Sequence, residues 1–287
     1  MSRNNDQRSG AKNTSATPAA PVFATPQEQS FNFAIPTELV DLPSGGRFYP
    51  EGHPLHGKDV LEIRYMTAKD EDILTSRSLL KKGVAIDKLL KNVIVDKSID
   101  PNSLLVGDKN AVLVAARISA YGPEYKTRIN CPSCASLNDF EFDISNPEFT
   151  GLAHEQLEKL EVVDNGDGTF SLDLPLSKVT VGVRLLTGHD EKKLAATVKS
   201  KKKANLPESN TTEQFRFIIC SVNGDDNKGL INKFISLMPA VDSKYLRTLY
   251  KELNPNIDLN QQFSCSECDF EGAVEVPFTA DFLWPRQ

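Results

Sequence analysis

Four of the five cysteines in this sequence stand in two tight pairs, Cys131-Pro-Ser-Cys134 and Cys265-Ser-Glu-Cys268. A two-residue spacer lets both thiolates of a pair curl round one ion, and two such knuckles complete the sulfur tetrahedron that zinc prefers. The pattern predicts one metal site with Cys131, Cys134, Cys265 and Cys268 as its ligands. Four thiolates saturate an ion and leave no position for water, so the expected role is structural rather than catalytic. Zinc is the expected ion, although a sulfur donor set also admits iron in a rubredoxin-like site. The competing reading is a pair of separate redox motifs. A thioredoxin-like Cys-x-x-Cys wants a helix behind it, whereas strand patterns follow both pairs here. Phe140, Phe142 and Ile144 alternate after the first, and Val274, Val276 and Phe278 after the second. Cys220 stands beside Phe217 and Ile219 and reads as a small buried hydrophobe on an apolar helix face.

The remaining reactive residues form no catalytic set. His53, His56, His154 and His189 are scattered, and none belongs to an HExxH. No GxSxG, no GxGxxG after a strand and no Walker loop occurs. Gly45-Gly46 invites a phosphate-loop reading, but no GKS or GKT follows and no clear strand precedes it. Asp164-Asn-Gly-Asp-Gly168 is acidic, yet glycines fill places where an EF-hand needs ligands, and a hairpin turn is the better reading. Lys199, Lys201, Lys202 and Lys203 read as a solvated helix end near the negative pole of its dipole. The expectation is a protein that is not an enzyme and takes no small-molecule substrate.

The elements that must bring the two cysteine pairs together read as two copies of one plan. The first opens with a strand at Val60–Tyr65 and the second with a strand at Lys178–Leu185. Each runs into a helix through a similar phrase, Arg64-Tyr-Met-Thr67-Ala-Lys-Asp70-Glu71 and Arg184-Leu-Leu-Thr187-Gly-His-Asp190-Glu191. Thr67 and Thr187 sit where an N-cap is needed, and Asp at the third helical position is a shorter-armed capping box. Further helices are expected at Ile86–Val95 and Lys109–Tyr121, then at Glu213–Val222, Gly229–Leu237 and Ser243–Leu253, with Gly83 as a C-cap. Each copy ends near a proline, Pro123 or Pro255, and then meets its Cys-x-x-Cys between two strands. The expected fold class is α+β, with two pseudo-repeated strand–helix halves joined through a composite zinc ribbon. The halves span residues 59–145 and 178–287, and residues 146–177 form a β-hairpin connection. Residues 1–30 hold no Leu and no Ile and read as a disordered tail. Residues 31–58 read as an extended docking strap whose Leu42, Phe48 and Tyr49 dock on a surface.

Composition sets the outer bounds. The chain has 287 residues, 39% hydrophobic and 25% charged, an ordinary balance for a packed domain. A formal charge of -6 gives no global positive field for nucleic acid or an anionic membrane. No stretch approaches the roughly 20 apolar residues of a membrane span. Met1 to Gly10 lacks the apolar centre of a secretory signal, which implies a reducing cytoplasm where five cysteines are no disulfide framework.

The strap Asp41-Leu-Pro-Ser-Gly-Gly-Arg-Phe-Tyr49-Pro, the two capped phrases and the paired knuckles together resemble one family. It is the baseplate hub subunits and hub-assembly proteins of T-even-like contractile-tailed bacteriophages, and the resemblance spans about residues 36–285. It implies a virion protein of the tail baseplate, assembled in the host cytoplasm, whose partners are other baseplate and tail proteins. It allows either a subunit that stays in the particle or a transient assembly chaperone. The apolar end Phe282-Leu-Trp284-Pro is expected to pack on its own domain, with partner anchoring as the alternative. A reading from another class is a nucleic-acid-binding zinc ribbon, which wants bases and aromatics around the knuckles. The neighbours of Cys265 are instead Glu267, Asp269 and Glu271, and near Cys131 the bases are Lys126 and Arg128.

Overall fold

The computed structural model describes residues 34–151, 154–203, 210–277 and 280–283, so the expected tail at 1–30, Phe278 and Trp284 lie outside the described residues. β1 (Thr37–Asp41) pairs antiparallel with β2 (Val60–Arg64), Thr37 opposite Arg64 and Asp41 opposite Val60. A strand therefore does precede Gly45-Gly46, contrary to expectation. Its sequence, Thr-Glu-Leu-Val-Asp, carries only two apolar residues, too few to signal a period. The strap that follows packs on its own chain: Leu42, Tyr49 and Leu55 are buried, and the rings of Phe48 and Phe170 lie 5.4 Å apart.

From β2 the chain enters α1 (Ala68–Thr75), α2 (Arg77–Lys82), α3 (Ala85–Val93) and α4 (Val106–Tyr121). Thr67 and Asp70 form the capping box over α1. Gly83 closes α2 in the left-handed conformation that glycine adopts without a Cβ penalty. α4 starts where the strap ends its course. Buried Asp108, in its first turn, accepts from the Ser44 amide at 2.9 Å, the Ser44 hydroxyl at 2.6 Å and the Tyr49 hydroxyl at 2.7 Å. Three donors on one carboxylate pin residues 64 and 59 positions away.

After Pro123 come β3 (Glu124–Asn130) and β4 (Leu137–Asp143), a hairpin with Tyr125 opposite Phe142. β5 (Glu148–Thr150) and α5 (His154–Lys159) follow; neither was foreseen. β6 (Val163–Asp164), β7 (Thr169–Asp173) and β8 (Thr180–Arg184) come next, with residues 165–168 as the turn between β6 and β7. This hairpin is not a free-standing link: β6, β7 and β8 form one antiparallel sheet with a later strand, β9.

α6 (Gly188–Lys203) repeats the cap of α1, and α7 (Asn210–Ile218) leads into β9 (Ile219–Val222). Here the expected helix Glu213–Val222 is corrected: it ends at Ile218 and the next four residues are a strand. The edge of β8 offers Ile219-Cys220-Ser221-Val222 main-chain partners that helical periodicity cannot register. Gly182 of β8 permits the approach, because a Cβ there would stand 2.2 Å from the Ser221 hydroxyl. Cys220 is accordingly a half-buried strand residue, not one on a helix face.

α8 (Lys228–Leu237) and α9 (Ala240–Leu253) precede β10 (Asn256–Asp258), which pairs with β5, and then β11 (Asn260–Ser264) and β12 (Glu271–Glu275) form the second hairpin. α10 (Ala280–Leu283) returns to the first hairpin, where buried Phe282 meets Tyr125 edge-on at 5.2 Å. This part of the C-terminal apolar end packs on its own chain.

The N-terminal ends of α4 and α6 meet along a seam. Val106 donates to Leu186 O at 3.0 Å, Gly188 to Leu104 O at 2.9 Å and His189 to Asn102 O at 2.8 Å. Lys109 pairs with Glu191 at 2.8 Å across the same seam. Gly107 lets α4 approach the chain at the start of β10, since a Cβ there would fall 1.9 Å from Pro255 O.

Candidate metal centre

The β3–β4 and β11–β12 hairpins each present their Cys-x-x-Cys at the turn. In the first, the Cys131 amide donates to Ser136 O and the Ala135 amide to Cys131 O, both at 2.9 Å, with Ala135 at φ 59°. In the second, the Cys265 amide donates to Phe270 O at 3.0 Å. These bonds curl each turn so that both sulfurs face inward. Ser133 N–H points at Cys131 Sγ and Glu267 N–H at Cys265 Sγ, each at 3.4 Å, the kind of donor that favours a thiolate.

The knuckles meet. Cys131 Sγ stands 3.7 Å from Cys268 Sγ, and Cys134 Sγ stands 3.7 Å from Cys265 Sγ. All four sulfurs lie within 4.8 Å of one another. A tetrahedron with metal–sulfur bonds of about 2.3 Å has edges of about 3.8 Å, so the donor set fits one ion of that kind. Disulfide geometry, near 2.05 Å, is far away. Cys131 is buried, Cys265 and Cys268 are half-buried and Cys134 is exposed, so the cluster sits at the surface end of the hairpins.

Neighbouring donors and sulfurs pull the thiols of the cluster in opposite directions. The Ser136 hydroxyl lies 3.4 Å from Cys265 Sγ and 2.9 Å from Cys134 Sγ. Its hydrogen bonds hold Cys134 below the ordinary thiol range and Cys265 at about 6. The Phe270 amide draws Cys268 down, but desolvation and the three neighbouring sulfurs push it up to about 12. Thiolates this close repel one another unless a metal shares them.

The sequence reading missed what locks the hairpins together. Buried Asn138, on β4, accepts from Ser266 N–H at 3.0 Å and Ser266 Oγ–H at 2.8 Å, and donates to Ser136 O at 3.1 Å. One side chain thus binds both knuckles. A signal existed: Asn138 holds an inward position in the alternation with Phe140 and Phe142. Beneath it, Phe140 and Phe263 meet edge-on at 5.5 Å across the two hairpins.

Among the described residues no other group of His, Cys, Asp or Glu converges in this way. His53 Nδ1 accepts from Leu55 N–H at 3.1 Å and its Nε2 meets the Ser103 hydroxyl at 2.8 Å, while burial keeps its pKa below the ordinary value. His56 Nδ1 donates to Tyr49 O at 2.6 Å. His189 pairs with Asp100 at 3.1 Å, and the side chain of His154 lies outside the described residues. Asp164 and Asp167 accept from the amides of Gly166 and Thr169 within their own turn. Lys201 is engaged by Glu213, and Lys202 and Lys203 end α6. No described helix is long and apolar enough to cross a membrane.

A family model described as T4 bacteriophage base plate protein covers residues 35–284. No curated protein and no solved structure matches the chain.

Proposed function

Because the chain belongs to the T4 bacteriophage base plate protein family, we propose that it is a non-enzymatic structural subunit of the hub region of that base plate. In this reading one zinc ion joins the two cysteine hairpins into a composite ribbon between two pseudo-repeated halves. Family membership supports a structural role in the tail base plate and other tail proteins as partners. The observation that carries the zinc staple is the convergence of Cys131, Cys134, Cys265 and Cys268 from hairpins whose nearest cysteines are 131 positions apart in the chain. An ion there would close a very long loop, where a cross-link constrains the unfolded chain most in principle.

The matching caps support the pseudo-repeat. Arg64 grips Asp70 at 2.7 and 3.0 Å, and Arg184 grips Asp190 at 2.8 and 2.9 Å, six residues apart in both. The acids Glu267, Asp269 and Glu271 beside the second knuckle speak against a nucleic-acid ribbon.

Quantitative mass spectrometry of purified particles tests the role. The expected result is this chain at a small fixed ratio to the tail-tube protein. Presence in infected-cell lysate with absence from the particle would overturn the structural reading in favour of an assembly factor that leaves.

A further inference from the structure

β1 carries a bare edge. Pro36 O accepts from Tyr65 N–H at 2.9 Å and Leu42 N–H donates to Asp59 O at 2.7 Å. With the register of β1 on β2, Glu38 and Val40 therefore spend their main-chain groups on β2, and those of Thr37, Leu39 and Asp41 point the other way. The far edge of β2 is covered, because Ile63 bridges to Ile94 and Val95 N–H donates to Glu62 O at 3.1 Å. Among the described residues nothing pairs with the outer edge of β1, and β5 pairs with β10 alone.

Between these strands lies a cleft of about 400 Å³. Its floor is α4 through Ala111, Val114, Ala115 and Ile118, and its far wall includes Phe149 of β5. Leu39 and Phe149, on opposite rims, are 67% and 50% exposed. Glu38 also lines the cleft. One of its carboxylate oxygens is enclosed with no partner, although Ser119 of α4 bonds the group. Asp41 adds a second negative charge to the lining, and no basic residue lines the cleft.

We propose that this cleft takes in an extended segment of another tail protein, which adds as a strand between β1 and β5. Its apolar side chains lie on α4 and a lysine or arginine meets Glu38. The source, a tail protein, rests on the base plate reading above; the strand addition rests on the cleft alone. Main-chain bonds to an open edge supply affinity, and alternate side chains supply specificity. A cation relieves an enclosed carboxylate oxygen that otherwise has no partner.

The test uses the full chain and a capped heptapeptide of alternating threonine and valine with one lysine at the central inward position, read by fluorescence anisotropy. Binding is expected to be at least about tenfold tighter than for the glutamate counterpart, since like charges oppose Glu38. Glu38→Gln should erase that preference. Leu39→Pro removes an N–H that β2 does not use, and edge strands tolerate proline; it should weaken binding by about tenfold or more, in line with losing a recognition edge. Ala115→Phe, which fills the floor and leaves β1 untouched, should do the same. Hydrogen exchange should slow at residues 37–41 and 148–150 when the lysine peptide is present. No binding, equal binding of both peptides, or binding indifferent to Leu39→Pro and Ala115→Phe would overturn the proposal. So would a dimer in sedimentation that either change disperses, since a second copy would then own the cleft. Absence of the chain from phage particles would sink the structural-subunit reading and leave the peptide result standing.

Discussion

Asp70 and Asp190 are near-twins in chemistry. Burial works to raise both carboxyls, but the Arg64 and Arg184 forks and the bonds from Thr67 and Thr187 prevail and hold each at about 2, below the usual 3.8. A folded pKa below the unfolded one contributes stability that is complete above the ordinary aspartate range and drains away as pH falls toward 2. Asp70→Asn should cost about 3 kcal/mol at neutral pH, the scale for breaking a buried ion pair. Urea titrations should find that penalty shrinking between pH 4 and pH 2; an equal penalty at both ends would refute the ion-pair account. Asp108 has the opposite sign, because burial holds its carboxyl above the usual value. Its contribution is present in acid and is lost as pH rises through the folded pKa. Cys265→Ser should reduce bound metal from one ion per chain to none after gel filtration. It should also lower stability by several kcal/mol, the scale for losing a structural metal. Elemental analysis of the same sample would tell zinc from iron, and a variant that keeps its metal would end the four-sulfur assignment. The convergence of the four cysteines was legible because two pairs at fixed spacing mark one another. Ser136 was not, since a serine after a knuckle looks like any turn residue.

At the level of elements, legibility followed locality. Thr67, Asp70, Thr187 and Asp190 act within a few residues of one another, so the cap phrases announced α1 and α6. The Asp108 latch joins residues 64 and 59 apart, and nothing near Ser44 or Tyr49 points to it. β9 was lost for the same reason: Ile219 to Val222 are a strand only because β8 lies beside them. The α4–β10 junction is another distant pairing. Gly107→Ala would drive a methyl into Pro255 O, at 1.9 Å, and helix propensity alone would favour the alanine by about 1 kcal/mol. The expected outcome is a lower midpoint in thermal unfolding despite that gain. A variant as stable as the parent would mean that α4 does not need so close an approach.

The whole molecule is a closure of distant parts. Seam bonds from Leu104 and Val106 to Leu186 and Gly188, the β5–β10 pair and the hairpin contact all join residues far apart in sequence. A ribosome working at about 5–20 residues per second takes roughly 7–26 s to travel the 131 positions from Cys134 to Cys265. Through that interval Cys131 and Cys134 leave the exit tunnel as a bare dithiol, open to oxidants and to any soft metal in the cell. The four sulfurs can gather only after Cys268 has emerged, so their convergence cannot seed the folding of the segments made before it.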